Sequence, residues 1–158
     1  MVALNTTAPD FKLRSTDGDY VTLSSLRGKT VVLAFFPAAF TGVCKAELCT
    51  FNASLAQLNA CDATVFGISV DGPLALGEFS TQNQLNFPLL SDHLKTVIHA
   101  YDITFPNFAN TEGYTVAERS IFVIDGEGTI RYKWIAPNPG VEPSYDDVLN
   151  FVTNLQHC

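Results

Sequence analysis

The run Thr30-Val31-Val32-Leu33-Ala34-Phe35-Phe36 is apolar without alternation and stops at Pro37. A strand of that kind suits the centre of a sheet covered on both faces. Beyond it, Ala38-Ala39-Phe40-Thr41-Gly42-Val43 forms a short loop that delivers Cys44 to the first turn of a predicted helix. First-turn amides have no intrahelical partner and present partial positive charge, which favours the thiolate form of a cysteine placed there. Pro37 fixes its own φ and withholds an amide, so it shapes the loop and shields one side of the site.

The other elements arrange themselves around that strand. Ala8 to Leu13 alternates as a half-buried strand does, Asp17-Gly18 is turn chemistry, and Tyr20 to Leu23 returns, predicting a hairpin over 10–23. Ser24 to Lys29 reads as one helical turn closed by Gly28. Leu48, Phe51, Leu55 and Leu58 form one stripe of a helix expected from about Gly42 to about Asn59. Asp62 to Val70 is a second buried strand, and Gly72-Pro73 opens a helix with proline at the tolerated first position. Phe87 to Leu90 is a short strand, after which Ser91-Asp92 caps a helical turn through about Ala100. Residues 101–117 have no clear period and read as a long loop, of the kind that is usually functional. Asp125-Gly126-Glu127 joins two strands of a hairpin, and Ser144-x-x-Asp147 caps an amphipathic helix carrying Val148, Phe151, Val152 and Leu155. The expected fold is α/β: a mixed central sheet flanked by helices, with an N-terminal β-hairpin, as one domain over 1–158.

Charge narrows the partners. The formal net charge is −7, from 9 Lys+Arg against 16 Asp+Glu, with no basic run, which excludes nucleic acid. Met1-Val2-Ala3-Leu4-Asn5 lacks a signal-peptide pattern and no stretch is long and apolar enough for a membrane, so a cytoplasmic protein is expected, with its cysteines reduced. Cys44, Cys49, Cys61 and Cys158 then read as thiols, and their spacings lack the paired CxxC knuckles of a zinc site. Cys61 reads as a filler and Cys158 as a terminal residue without a resolving role. His93, His99 and His157 have no partners at catalytic spacing.

Pro37-x-x-x-Thr41-x-x-Cys44, with Ala8-Pro9-Asp10-Phe11 before it and Arg119 opening a late strand, resembles the signature of peroxiredoxins, thiol peroxidases of the thioredoxin-like fold. The likeness is nearest to the AhpE-like and PrxQ (bacterioferritin-comigratory) subgroups and covers nearly the whole chain. It implies a peroxidatic role for Cys44, which attacks a peroxide and leaves as a sulfenic acid. It implies that the Thr41 hydroxyl bonds substrate and thiolate, that Arg119 stabilises both, and that Glu47 orients the arginine. Arginine suits that task because it stays charged and offers a fixed fork of donors. The resemblance calls for no cofactor and no metal; its partners are a peroxide and a thiol reductant such as thioredoxin or a glutaredoxin-like protein. Relatives of this kind are monomers or homodimers.

Cys49 stands where PrxQ-like members carry a resolving cysteine, whereas AhpE-like members work with one cysteine. Five residues of α-helix separate two Cα atoms by about 8.7 Å, beyond the roughly 7 Å limit of a disulfide. A Cys44–Cys49 bond therefore requires the start of the helix to unwind. Two rivals are weaker. A thiol–disulfide oxidoreductase would need a CxxC dithiol, which is absent. A non-enzymatic thioredoxin-like binding module would leave the Pro37, Thr41, Cys44 and Arg119 set without a purpose.

Overall fold

The computed structural model describes residues 2–156. Its frame is a seven-stranded mixed sheet built from β1 (Lys12–Ser15), β2 (Tyr20–Thr22), β3 (Thr30–Phe35), β4 (Ala63–Ser69), β5 (Leu89–Ser91), β8 (Ser120–Ile124) and β9 (Ile130–Ile135), in the order β2-β1-β5-β4-β3-β8-β9. β3, β4 and β5 run parallel, with β1 and β8 antiparallel on either side. The helices are α1 (Gly42–Ala53), α2 (Leu55–Ala60), α3 (Pro73–Gln82), α4 (Thr96–Ala100) and α5 (Tyr145–Gln156). The hairpin expected at the N-terminus is β1–β2, and the one around Asp125 is β8–β9.

The unbroken apolar run has a direct explanation. β3 lies inside the sheet, between β4 and β8, and every one of its residues is buried. Val31, Leu33 and Phe35 enter one core with Tyr101, Phe122 and the α4 residues Val97 and Ile98. Val32, Ala34 and Phe36 enter the other, with Leu48 and Phe51 of α1, Leu58 of α2, Phe79 of α3 and Val148 of α5. Alternate side chains of one strand thus hold together two layers of helix. α1 comes close to the sheet because Gly67 on β4 has no side chain: a Cβ there would lie 2.6 Å from Leu89 Cδ2 and 3.2 Å from Leu48 Cδ2.

Three expectations need correction. The helix expected to run to Asn59 breaks at Ser54 (φ −94°, ψ 1°), whose amide donates to the carbonyls of Thr50 and Phe51. Asn52 and Ser54 are weak helix formers, and the Asn52 side chain is engaged outside the helix, donating to the Gln84 carbonyl and accepting the Asn86 amide; the leucine stripe continues in α2, whose Leu55 and Leu58 pack on the same core. The 101–117 segment is not structureless. β6 (Thr104–Phe105) pairs antiparallel with β7 (Val116–Ala117), and between them lies a turn around Phe108–Asn110 in which Asn107, Ala109 and Asn110 take left-handed backbone (φ 54°, 56° and 56°). Two-residue strands are too short to leave a period in the sequence. Cys61, expected as a free thiol, is disulfide-bonded. The readings of His157 and Cys158 lie outside the described residues.

Asp92 does cap α4, though from four residues upstream: its carboxylate accepts the amides of Val97 and Ile98 at 3.2 and 2.9 Å. Ser144 caps α5, its hydroxyl accepting the Asp147 amide at 3.4 Å.

Candidate active site

The carboxyl ends of β3 and β4 carry the site, as parallel sheets favour. β3 pairing extends one residue past the strand, the Phe36 amide donating to the Ile68 carbonyl at 3.0 Å. Buried Pro37 then turns the chain away. Phe40 takes a left-handed conformation (φ 67°), unusual for a bulky side chain, and is 56% exposed with its ring edge-on to Phe79 at 5.2 Å. That reversal sets Thr41 as the residue preceding α1, so Cys44 falls at the third helical position, within the first turn of unpaired amides. Beside this corner lies a cleft of about 280 Å³ lined by Phe40, Thr41, Gly42, Lys45 and Phe79.

Arg119, one residue before β8, closes the site from the neighbouring strand. Its side chain is 2% exposed and spends its donors on three separate groups. Nη2 donates to Cys44 Sγ at 3.1 Å, Nη1 to Glu47 Oε1 at 2.9 Å, and Nε to the Pro139 carbonyl at 3.0 Å. A lysine offers a point charge and could not make this fork. Burial works against the guanidinium's charge, but Glu47 and Cys44 outweigh it and hold its pKa above the ordinary value.

Glu47 is fully buried one turn after Cys44. Burial pushes its carboxyl up to about 8, against the pull of Arg119. Its second oxygen, Oε2, has no hydrogen-bond partner among the described residues. An unpaired oxygen in an apolar wall costs less on a protonated carboxyl than on a carboxylate, which is the physical reason for that direction.

The structure therefore gathers Cys44, Glu47 and Arg119 through direct contacts, and places Pro37 and Thr41 on the adjoining loop. Thr41 differs in one respect from its expected bond to the thiolate: its hydroxyl donates to the Ala38 carbonyl at 3.0 Å. With its proton given to Ala38, the hydroxyl can accept a hydrogen bond but does not donate to the thiolate. Cys49 is half-buried and free on the same continuous helix as the buried, free Cys44.

Several groups near the site were not foreseen. The Pro139 carbonyl anchors Arg119, and a backbone acceptor leaves no trace in a sequence. Asp71, just past β4, accepts the Ala39 amide and the Ser69 hydroxyl. Tyr114 lies in the turn between β6 and β7, and its phenol is pushed up by burial first and then by the charges of Asp71 and Cys44. Only the polar pair Ser69-x-Asp71 after an apolar strand hinted at this cluster.

A buried cysteine on a helix start, hydrogen-bonded by an arginine that a buried carboxyl orients, is a site for attack by sulfur on an electrophile whose leaving atom gains negative charge. Comparison with known proteins agrees in kind, since the AhpC/TSA family matches residues 4–133. The chain belongs to the AhpC/TSA family. It is a peroxiredoxin, a thiol-dependent peroxidase. Alkyl hydroperoxide reductase E of Mycobacterium tuberculosis is 39% identical over 135 residues, which cover 84% of this chain and 84% of the relative. Peroxiredoxin Bcp of Bacillus subtilis is 35% identical over 127 residues, 80% of this chain and 81% of that protein. Among solved structures, peroxidoxin BcpB of M. tuberculosis superposes with a TM-score of 0.85 at 26% identity, covering 98% of this chain and 99% of that one. The bacterioferritin comigratory protein of Xanthomonas campestris gives 0.83 at 26% identity, covering 99% and 98%. The peroxiredoxin's sheet and helices are those of the thioredoxin-like fold. Among the described residues, no helix is long and apolar enough to cross a membrane.

Proposed function

We propose that Cys44 is the peroxidatic cysteine of one catalytic domain spanning 1–158, working in the cytoplasm on hydrogen peroxide, alkyl hydroperoxides or peroxynitrite. The observation that carries this reading is the 3.1 Å hydrogen bond from Arg119 Nη2 to Cys44 Sγ at the first turn of α1. The Cys44 thiolate attacks the terminal peroxide oxygen. An S–O bond forms as the O–O bond breaks, sulfur is oxidised to the sulfenic acid, and the leaving oxygen takes a proton to become water or an alcohol. Arg119 stabilises the thiolate beforehand and the oxygen charge as it develops. Glu47 and the Pro139 carbonyl hold the guanidinium in place. Thr41 receives substrate at the mouth, and Pro37 keeps the loop clear of competing amides. An alkyl peroxide reduction activity is known for the Xanthomonas relative, which supports the wider substrate range.

Cys49 then resolves the sulfenic acid: its thiolate attacks Cys44 Sγ, the S–S bond forms, and water leaves. A thioredoxin-type or glutaredoxin-like dithiol restores both thiols by exchange. α1 must unwind at its start for this step, since the two cysteines lie five residues apart on a continuous helix. That same continuity favours a second reading, in which an external thiol resolves Cys44 and Cys49 is a bystander.

Stopped-flow oxidation of the reduced protein decides both points. Cys44→Ser abolishes fast reaction with peroxide; a variant that still reacts fast overturns the first assignment. Cys49→Ser stops at the sulfenic acid where the parent forms an internal disulfide. Normal turnover of Cys49→Ser with a thiol donor establishes the one-cysteine cycle instead.

A further inference from the structure

The loop from Pro37 to Thr41 leads into the site; Pro37, Ala38 and Ala39 are buried, Ala39 within the α1-side core, but among the described residues its polar ties are few. Its amide at Ala39 donates to Asp71 Oδ2 at 2.8 Å. The Thr41 hydroxyl donates within the loop, to the Ala38 carbonyl. Phe40 leans on Phe79 through an exposed ring. The Ala39 amide is thus the loop's polar tie to the sheet, midway between the last paired residue of β3 and the start of α1.

Asp71 is itself held from three sides. Ser69 Oγ donates to the same Oδ2 at 2.6 Å, and the Asp71 amide donates back to Ser69 Oγ at 3.2 Å. Ser91 Oγ, at the end of β5, donates to the Asp71 carbonyl at 2.6 Å. The Asp92 amide ties β5 to the Ser69 carbonyl at 2.8 Å. Ser69 and Ser91 are both buried, so these bonds are shielded from water and their geometry is rigid. A serine pair at the carboxyl ends of two adjacent strands therefore aims one carboxylate oxygen at one amide of the catalytic loop.

We propose that Asp71 is a positioning residue for peroxide reduction, holding the Ala39 amide so that Thr41 and the first-turn amides of α1 keep their station over Cys44. The proposal rests on the reading of Cys44 as the nucleophile. Asp71 touches no reacting atom. It acts by fixing where the loop ends, and a displacement of about 1 Å in such a loop costs up to about 100-fold in rate. What matters is an acceptor at the right distance, not a negative charge. Asparagine preserves the acceptor, since its carbonyl oxygen can receive both the Ala39 amide and the Ser69 hydroxyl. Glutamate preserves the charge and moves the oxygens by one methylene.

The test compares Asp71→Asn, Asp71→Glu and Asp71→Ala in two reactions of the reduced protein: oxidation by hydrogen peroxide and alkylation by iodoacetamide. Alkylation needs a thiolate but no alignment of an O–O bond. Asp71→Ala and Asp71→Glu are expected to lose about 10- to 100-fold in the peroxide rate and less than about threefold in alkylation. Asp71→Asn is expected to stay within about threefold of the parent in both. A folded Asp71→Glu with the parental peroxide rate overturns the proposal. So does an Asp71→Asn as slow as Asp71→Ala, or an equal loss in both reactions, which would mark a merely structural role. Should Asp71→Ala fail to fold, the Asn and Glu pair alone decides. Fast peroxide oxidation of Cys44→Ser would instead overturn the underlying assignment of the nucleophile.

Discussion

Arg119 Nη2 lies 3.1 Å from Cys44 Sγ while its Nη1 lies 2.9 Å from Glu47 Oε1, so one guanidinium bridges two residues a helical turn apart. Arg119→Lys removes the fork and leaves a single movable charge. The rate of Cys44 oxidation by peroxide should fall by about 10²- to 10³-fold, the usual loss of one aligned donor at a developing oxyanion. Stopped-flow fluorescence of the reduced protein measures it, and a loss below about fivefold would show that the fork is dispensable.

The raised carboxyl of Glu47 makes stability depend on pH. Its value in the folded chain, about 8, exceeds the ordinary 4.5 of an unfolded glutamate, because burial outweighs the pull of Arg119. Between those limits the native state keeps a proton that the unfolded state has released. The contribution is therefore complete below the ordinary value and is lost as pH rises through about 8, at up to about 1.4 kcal/mol per pH unit. Glu47→Gln should flatten this slope. Urea unfolding midpoints followed from mildly acidic to mildly alkaline pH give the comparison, and parallel curves for the two proteins would rule the effect out.

Gly67→Ala should strike the sheet and the site together. The added carbon would meet Leu89 and Leu48 in a core where both are fully buried. Overpacking of this kind costs about 1–3 kcal/mol. Because Leu48 lies one turn after Cys44 on α1, the peroxide rate should drop as well, whereas Gly77→Ala inside α3, with open space around it, should leave the rate unchanged and raise stability by about 0.5–1 kcal/mol. Unfolding curves and peroxide kinetics of the two variants separate these outcomes.

Oxidation should cost helix. A Cys44–Cys49 bond cannot close across a continuous α1, so the disulfide form should lose far-ultraviolet circular dichroism at the helical bands and regain it on reduction. α1 has 12 residues and ends at Ser54, so it can unwind without dragging α2 along. Cys49→Ser should show no such change. An oxidised parent with an intact helical signal and a mapped Cys44–Cys49 bond would refute the requirement for unwinding.

Long, strongly patterned elements were legible without coordinates. β3 declared itself by the six apolar residues Val31 to Phe36 in a row, α5 by a capping serine and a clean stripe, and the Asp125 hairpin by its turn residues. The break at Ser54 and the β6–β7 pair were not legible. The first falls inside an otherwise good stripe, where Asn52 is drawn to the distant Gln84 and Asn86, and the second is a pairing of two-residue strands eleven positions apart. Cys61 is a failure of another kind: its neighbours in sequence say nothing of whether its sulfur is bonded.

For the site, local sequence determined that a cysteine would stand at the start of a helix behind a central strand, because strand, proline and helix signals are all short-range. Tertiary structure decided what surrounds the sulfur. Arg119 reaches Cys44 from 75 positions away, and Asp71 reaches Ala39 from 32, through the order of strands in the sheet. Those contacts depend on which strands lie side by side, and that is settled by burial over the whole chain, not by any window of residues within it.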